Sequence, residues 1–445
     1  MSAEYHPDRA TLDSFSRGAL SAAEALRVEA HLRSGCALCQ GRVDDLLLSM
    51  VGPEPGSEAA MDTAWARIVT MLERRMSELR REREDAPGLL AELLNRPAAE
   101  RSALIHSGGP LRTFAVCELL IEKGFEEGFR DPAQALELAA LAVEAAGCLD
   151  PASYGRSVVQ DLRARAWAYL GNARRIASDL PGADQALSFA ESLLQEGSAD
   201  PLEEARLLDL RASLLSDQGW FEQAAELLDS VIAIYEDLRD PQRQGRALIG
   251  QGLFLSYAGL SEQAVERLAE GLSRIDWDEE PRLVLMARHN LAWCLNDSGR
   301  PEEASHLLDR FRHTYGTFPD PWTGLRLAWL EGRIAARLGR DEDAERAFRE
   351  VRGRFLEKDL CYDASMVTLD LAGLYLRQGR NAEVRQVAAE MLPTFLSQDV
   401  HRQAVAALTA FQQAVEMDQA TPLLIQEVAA YLVRARKNPR LRFRS

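Results

Sequence analysis

The sequence predicts an all-α protein whose long middle part, residues 158–397, is an α-solenoid of helix–turn–helix repeats. The first observation is a row of glycines with a period of 40 residues. The second is a small residue seven positions before each glycine and alanine, once valine, five positions after it. A fixed period of this length indicates stacked units, because one unit cannot bury its apolar face alone. The three series are Gly219, Gly259, Gly299, Gly339 and Gly379; Ala212, Gly252, Ala292, Gly332 and Ala372; and Ala224, Ala264, Ala304, Ala344 and Val384.

Each position has a physical role in such a unit. Glycine permits the left-handed backbone that ends the first helix, helix A, and the two small residues let the second helix, helix B, pack closely against it. An earlier copy, offset by one residue, has Gly171, Ser178 and Ala183 at these positions. Acid–proline pairs recur in phase and predict the starts of the A helices, since proline needs no amide there and an acid suits a helix N-terminus. These pairs are Asp200-Pro201, Asp240-Pro241, Glu280-Pro281 and Asp320-Pro321.

This pattern resembles the tetratricopeptide repeat (TPR) family. The small residue in helix A, the turn glycine and the alanine in helix B are the signature positions of that family. The usual TPR period is about 34 residues, so we expect the helices of this chain to be longer. The resemblance implies a groove lined by the A helices, which binds a protein or a peptide.

Candidate groove residues follow from the register of the repeats. The position thirteen residues before each turn is arginine in four of six repeats, and such a ladder could hold a carboxylate-rich peptide or the C-terminus of a partner. Further polar and aromatic residues lie on neighbouring turns of the middle helices. The alternative is a solvated face whose charges pair locally, such as Arg206 with Glu203. The candidate residues are Arg165, Arg206, Arg246, His289, Asn290, Trp293, Asn296, Arg326, Trp329 and Arg333.

The first fifty residues contain a candidate metal site. Ser21 and Glu24 have the spacing of a capping box, which starts a helix that carries His31 on its last turn. Cys36 and Cys39 follow in a C-x-x-C arrangement, and His6 is the other candidate ligand in this segment. Zinc favours four sulfur and nitrogen ligands in a tetrahedron. The sequence therefore predicts a Zn²⁺ site at residues 1–50, against the alternative of two unligated cysteines and a helix-end histidine.

The same segment resembles the zinc-finger module of zinc-containing anti-sigma factors. The resemblance spans the His6-Pro7 start, the Ser21 cap, His31 and the two cysteines, with one residue more than usual between His31 and Cys36. It implies that His6, His31, Cys36 and Cys39 hold zinc. It also implies that the module binds a sigma factor of the extracytoplasmic-function (ECF) class.

The remaining segments flank these two parts. Residues 51–86 are predicted to be a linker and an amphipathic helix, whose apolar stripe either packs on the first repeat or extends the sigma-binding surface. Residues 87–157 are predicted to form a degenerate helical cap or first repeat, with a short helix around Leu89 to Leu94. Residues 398–445 are predicted to be capping helices and a basic tail.

Composition limits the function. The formal net charge is −17, and a cluster of basic residues occurs only in the last twelve, which argues against direct nucleic-acid binding. We expect no membrane span and no secretory signal, and the six scattered cysteines favour the cytoplasm. No catalytic motif is present, so we expect no enzyme. The two resemblances together imply a transcription regulator whose zinc-binding module binds a sigma factor and whose repeats sense a protein or peptide; the alternative is a TPR adaptor with a purely structural zinc.

Overall fold

The structure is a computed structural model that describes residues 7–16, 19–21, 24, 25, 27, 28, 31, 58–128, 130–318, 320–396, 402–417 and 419–437. These residues form helices and connecting turns, and none of them lies in a β-strand. The chain packs as two units, residues 1–210 (the first unit) and residues 211–445 (the second unit).

The helices of the first unit include a long N-terminal helix and the first repeats. They are α1 (Arg9–Ser16), α2 (Glu58–Leu94), α3 (Ala98–Ser107), α4 (Phe114–Glu127), α5 (Pro132–Gly147), α6 (Pro151–Tyr154), α7 (Arg156–Ile176), α8 (Leu180–Leu194) and α9 (Pro201–Asp217), the last of which continues past residue 210. Leu120, Leu162 and Ile105 are fully buried and lie in the core of this unit.

The helices of the second unit follow the period of 40 residues. They are α10 (Phe221–Asp237), α11 (Pro241–Tyr257), α12 (Ser261–Leu272), α13 (Pro281–Asp297), α14 (Pro301–Phe311), α15 (Pro321–Arg337), α16 (Asp341–Glu357), α17 (Cys361–Arg377), α18 (Asn381–Leu396), α19 (Arg402–Glu416) and α20 (Pro422–Lys437). In chain order, α7, α9, α11, α13, α15 and α17 are the A helices. The last two helices, α19 and α20, bury Phe411 and Leu432 in the same cluster as Tyr375 of α17.

The turns between the A and B helices have the predicted geometry. The five turn glycines have φ values between 70° and 83°, in the left-handed region that glycine adopts without strain. Ser178, at the turn of the earlier copy, has φ 64°, so this repeat adopts the same turn without glycine. In all six turns the amide of the next residue donates to the carbonyl five positions before it, over 2.9 Å. This bond satisfies a carbonyl at the helix end.

The small residues allow helices A and B to approach closely. The alanines at the A position (Ala212, Ala292, Ala372) are fully buried. At Gly252 a Cβ atom would lie only 2.6 Å from Leu268 Cγ on the partner helix, closer than real Cβ atoms come to other atoms. The close packing predicted from the sequence is confirmed.

All four predicted starts of the A helices are also confirmed, because α9, α11, α13 and α15 begin at the proline of each acid–proline pair. Asp240 accepts a hydrogen bond from the Arg243 amide at 2.9 Å, and Asp320 accepts one from the Thr323 amide at 2.9 Å. Glu280 precedes its helix as predicted, but its side chain makes no capping bond. Its longer side chain instead accepts a hydrogen bond from Gln242 Nε2 at 3.0 Å, on the preceding A helix.

Helix α2 is longer than the sequence indicates. The sequence predicts separate helices before and after the boundary at residues 86 and 87, but one helix of 37 residues runs through Pro87. Proline removes one amide donor from a helix, but Pro87 is exposed, so water can bond the carbonyl that loses its partner. Ala86, Leu90 and Leu93 are buried in the core of the first unit and hold the helix in place on the other side.

One repeat departs from the regular pattern. Helix α14 ends at Phe311 and is followed by a 3₁₀ helix, Arg312–Thr317. This turn buries Tyr315 to 7% exposure and brings its hydroxyl to helix α13.

No helix within the described residues is long and apolar enough to cross a membrane.

Candidate interaction surface

All ten candidate groove residues lie on A helices. Arg165 and Arg206 belong to α7 and α9, in the first unit. Arg246 lies on α11, and the others lie on α13 and α15, all in the second unit. Because the two units pack separately, the candidates form one group in each unit.

The arginines of the first unit are already paired. Glu203 is 4% exposed and accepts hydrogen bonds from both Arg165 and Arg206. Arg165 also donates to Glu118 at 3.3 Å. Burial lowers the pKa of Arg165, but the hydrogen bonds and charge of Glu203 outweigh it and leave the pKa above its ordinary value. These two cations are therefore neutralised within the protein, as in the alternative of a locally paired face.

Arg246 is more accessible than these two. Its Nε atom lies 3.5 Å from Glu280 Oε2, and its side chain is 56% exposed. Exposed ion pairs of this kind contribute little to stability. Arg246 is thus loosely held and can exchange its partner.

Arg326 is the ladder cation without an internal partner. Its side chain is exposed, and it makes no ion pair or hydrogen bond with any residue that the structure describes. Its charge acts on His289, whose pKa is lowered to about 4, first by burial and then by Arg326. His289 is therefore neutral near pH 7, and its Nδ1 lies 2.8 Å from the Tyr315 hydroxyl. A permanently charged guanidinium next to neutral aromatic groups can bind a ligand that has one carboxylate beside an apolar group.

A cluster of aromatic and charged side chains joins three successive A helices, α13, α15 and α17. Arg333 donates to Asp297 at 2.8 Å and lies 3.8 Å from Asp370. Its guanidinium stacks on the Trp293 ring, 4.2 Å from the centroid. Trp329 lies edge-on to Trp293, with 5.2 Å between the ring centroids, and donates its indole N–H to Asp370 at 2.7 Å. We call these five residues the aromatic clasp.

The charges in the aromatic clasp are adjusted by burial and by each other. Burial lowers the pKa of Arg333, but Asp297 and Asp370 outweigh it, so the pKa lies above its ordinary value. Burial raises the pKa of the Asp370 carboxyl, although Arg333 and the Trp329 N–H oppose it. Two carboxylates thus share one cation in the clasp.

The two candidate asparagines are occupied differently. Asn290 donates to the Met286 carbonyl of its own helix at 2.8 Å. Asn296 is 1% exposed, and its Oδ1 has no hydrogen-bond partner among the described residues. Asn296 is therefore below the surface, whereas His289, Trp293, Trp329 and Arg333 lie together.

Sequence reasoning missed three partners of these residues, namely Asp297, Asp370 and Tyr315. Asp370 had a usable signal, because it is the lone charge in the largely apolar stretch 367–372, and a lone acid in such a stretch needs a partner. Asp297 and Tyr315 had none, since neither interrupts an apolar run and their partners lie on other helices.

The predicted zinc ligands lie mostly outside the described residues. His6, Cys36 and Cys39 are in this group, while His31 is described as helical and partly buried. The predicted capping box before it is present: Glu24 accepts from the Ser21 amide at 3.2 Å, and Ser21 Oγ accepts from the Glu24 amide at 3.2 Å. Within the described residues, no three His, Cys, Asp or Glu side chains are grouped so that they could hold a metal ion.

Comparison with known proteins identifies the class of the fold. No protein-family model matches the chain, and no curated protein matches it. Among solved structures, a Rap protein complexed with Competence and Sporulation Factor matches with a TM-score of 0.54 and 13% identity, over 71% of this chain and 87% of that chain. The chain is thus an all-α solenoid of TPR-like helical repeats, as the sequence predicted.

Two further structures show weaker similarity. The apo form of RapI matches with a TM-score of 0.49 and 11% identity, over 62% of this chain and 97% of that chain. Aspartyl phosphate phosphatase F from Bacillus subtilis matches with a TM-score of 0.48 and 14% identity, over 88% of this chain and 95% of that chain.

Proposed function

We propose that the chain is an adaptor that binds a protein or peptide partner along the A helices α13 and α15. The observation that carries this proposal is Arg326, an exposed cation without an ion-pair partner among the described residues. Arginine and aromatic side chains are enriched where proteins bind one another. The neutral His289 and the clasp residue Trp293 lie on α13, the A helix before that of Arg326, with 6.1 Å between their ring centroids.

The chemistry of these groups indicates the kind of ligand. Arg326 would bind one carboxylate, from an acidic side chain or a C-terminus, through paired hydrogen bonds. The half-buried Trp293 and His289 would contact an apolar group next to that carboxylate. The Rap structure that shares the fold holds Competence and Sporulation Factor, which supports a binding role for this chain.

A capture experiment with full-length protein tests this function. Arg326→Glu reverses the charge at the candidate site. We expect this variant to lose the partners that the wild-type chain captures from extracts of its own organism. Arg346→Glu is the matched control, because Arg346 is 73% exposed on helix α16 and outside the site. If both variants retain the same partners, the ligand does not use Arg326 and the proposal fails.

We also propose a second function for residues 1–50, in which His6, His31, Cys36 and Cys39 hold Zn²⁺ and the module binds an ECF sigma factor. Two imidazoles and two thiolates are a donor set that zinc prefers, and four protein ligands make a closed, structural site. The Ser21–Glu24 capping box, which belongs to the resembling pattern, supports the proposal. The chain would then act as a transcription regulator in the cytoplasm.

Metal content and sigma capture test this second function separately. We expect the full-length chain to contain equimolar zinc and to capture an ECF sigma factor, and the Cys36→Ala/Cys39→Ala variant to lose both. Equimolar zinc without capture would reject the sigma-factor role and leave zinc as a structural element of the adaptor. A chain without zinc would reject the module itself.

A further inference from the structure

We propose that the A–B turns around Gly219 and Gly259 form a second docking surface, separate from the A-helix site, for a protein segment that carries an apolar side chain flanked by lysine or arginine. The surface consists of three apolar residues, Trp220, Tyr257 and Leu260, and four glutamates, Glu222, Glu226, Glu262 and Glu266. We call it the turn patch. All seven residues belong to the second unit.

The apolar part of the turn patch is exposed and comes from two adjoining turns. Trp220 is 52% exposed, Tyr257 42% and Leu260 37%. The Tyr257 ring lies 5.5 Å from the ring of Phe221, the neighbour of Trp220, so the two turns meet. Single exposed apolar residues are ordinary, but adjoining large ones indicate a binding surface.

The acidic part of the turn patch has no internal counter-charge. The four glutamates are exposed and make no hydrogen bond or ion pair with residues in the described part of the chain. Glu262 is near Arg300, but that guanidinium is bonded to Glu303. Glu222 and Glu226 are four residues apart on α10, and Glu262 and Glu266 are four apart on α12. Like charges at this spacing destabilise a helix, and a cationic partner would remove the repulsion.

Equivalent positions in the next three repeats show that the fold does not need this pattern. The residue after the turn glycine is Arg300, Arg340 or Arg380 there, instead of Trp220 or Leu260. The two glutamate positions are also changed, so that each of these repeats lacks at least one acid; they read Glu302 and His306, Glu342 and Arg346, Ala382 and Gln386. Exposed apolar residues and paired acids thus occur together in two adjacent repeats and are replaced together in the others.

The charge of the turn patch decides between possible occupants. Four unpaired carboxylates beside an apolar surface favour a segment with at least two basic residues next to an aromatic or large aliphatic anchor. A second copy of this chain would bring a further turn patch of the same charge, which argues against symmetric self-association through it. Because Arg326 lies on another helix and would bind an anion, the two sites select opposite charges.

Selection from a library of short random peptides displayed on phage tests the turn patch. The target is the full-length chain, and the dissociation constants of the enriched peptides are then measured for three variants. Trp220→Ser/Leu260→Ser removes the apolar anchor site, Glu222→Lys/Glu262→Lys reverses the charge, and Arg340→Ser changes the same register in a repeat farther along the chain as a control. All these side chains are exposed or at the turns, and circular dichroism checks that each variant is folded.

We expect peptides with an aromatic or large aliphatic residue flanked by lysine or arginine to be enriched. Their affinity should fall about tenfold or more in each turn-patch variant and change less than about twofold in the control. Arg326→Glu should leave this binding intact, which separates it from the A-helix function. Enrichment of acidic peptides only, no enrichment, equal affinity for all variants, or a dimer that Trp220→Ser/Leu260→Ser dissociates would overturn the proposal.

Discussion

Trp329 donates its indole N–H to Asp370 over 2.7 Å, and this hydrogen bond joins two A helices through residues 41 positions apart. Trp329 is 9% exposed, so the indole also fills space between the repeats. Asp370 lies beside Arg333 as well, which in turn contacts Trp293 and Asp297. The contact between repeats is thus partly polar at a place where stacked helices usually meet through apolar side chains.

Replacing Trp329 tests how much this hydrogen bond contributes to the stability of the protein. Trp329→Phe keeps most of the ring but leaves one Asp370 oxygen without its donor, so we expect the free energy of unfolding to fall by about 1–3 kcal/mol. Urea denaturation followed by circular dichroism measures the change. Trp322→Phe is the control, because Trp322 is 41% exposed and should have a much smaller effect. Equal effects of the two substitutions would contradict the structural role of the bond.

His289 should remain neutral in mildly acidic solution. Burial and the charge of Arg326 lower its pKa from 6.5 to about 4. Between these values the unfolded chain binds a proton at this residue and the folded chain does not, so stability falls as the pH decreases through this window. An NMR titration of the His289 ring gives the pKa directly, and unfolding measurements at several pH values give the stability.

Two variants separate the causes of this shift. His289→Gln should weaken the loss of stability on acidification, because the titrating group is gone. Arg326→Gln should raise the pKa of His289, since one of the two causes is removed. A His289 ring that titrates near 6.5 in the wild-type protein would show that the site is open to water.

Gly252 is expected to be intolerant of alanine. A Cβ atom there would lie 2.6 Å from Leu268 Cγ and 3.1 Å from the Leu268 amide nitrogen, so helix α12 would have to move. We expect Gly252→Ala to lower the free energy of unfolding by about 1–3 kcal/mol. Gly250 lies on the same helix, and its Cβ would come no closer than 3.4 Å to Leu228. Gly250→Ala should therefore be neutral or stabilising by about 0.5–1 kcal/mol, and thermal unfolding that gives both substitutions the same sign would refute this packing.

Glu203 is expected to be essential for the stability of the first unit. It accepts hydrogen bonds from Arg165 and Arg206, and its side chain is 4% exposed. Glu203→Gln removes the negative charge that the two arginines share. We therefore expect the free energy of unfolding to fall by about 3–5 kcal/mol, as for other broken buried ion pairs. Glu204→Gln is the control. Glu204 is the exposed neighbour of Glu203, and its substitution should change the free energy of unfolding by less than about 0.5 kcal/mol. Chemical denaturation compares the two, and a mild effect at Glu203 would mean that the arginines find other partners.

Local rules account for the parts of the fold that the sequence predicted. A turn glycine, an Asp–Pro start and a small residue at a close contact each depend on a few neighbouring positions, and the period of 40 residues repeats them. Even Ser178, which lacks the favoured residue type, was placed at a turn by its register, and its φ is 64°.

The parts that the sequence did not predict depend on other elements. Pro87 normally ends a helix, but here its neighbours Leu90 and Leu93 are held in the core of the first unit. The 3₁₀ helix Arg312–Thr317 interrupts a repeat that has the expected glycine and alanine. The clasp partners of Arg333 lie on the previous and the next A helix, and their approach depends on how these helices are set against each other.

The aromatic clasp has a mechanical consequence for the second unit. Stacked repeats flex through small rotations at each interface, but a rotation on either side of α15 must pull Arg333 away from Asp297 or from Asp370. The segment α13–α17 therefore resists bending as one stiff block. The joint between α11 and α13 is held by an apolar cluster and by the hydrogen bond from Gln242 to Glu280, and salt screens only the exposed pair of Arg246 and Glu280. The α11–α13 joint has no such ion pair in its interior, so the charged contacts that oppose bending lie in the segment α13–α17 among the residues that the structure describes.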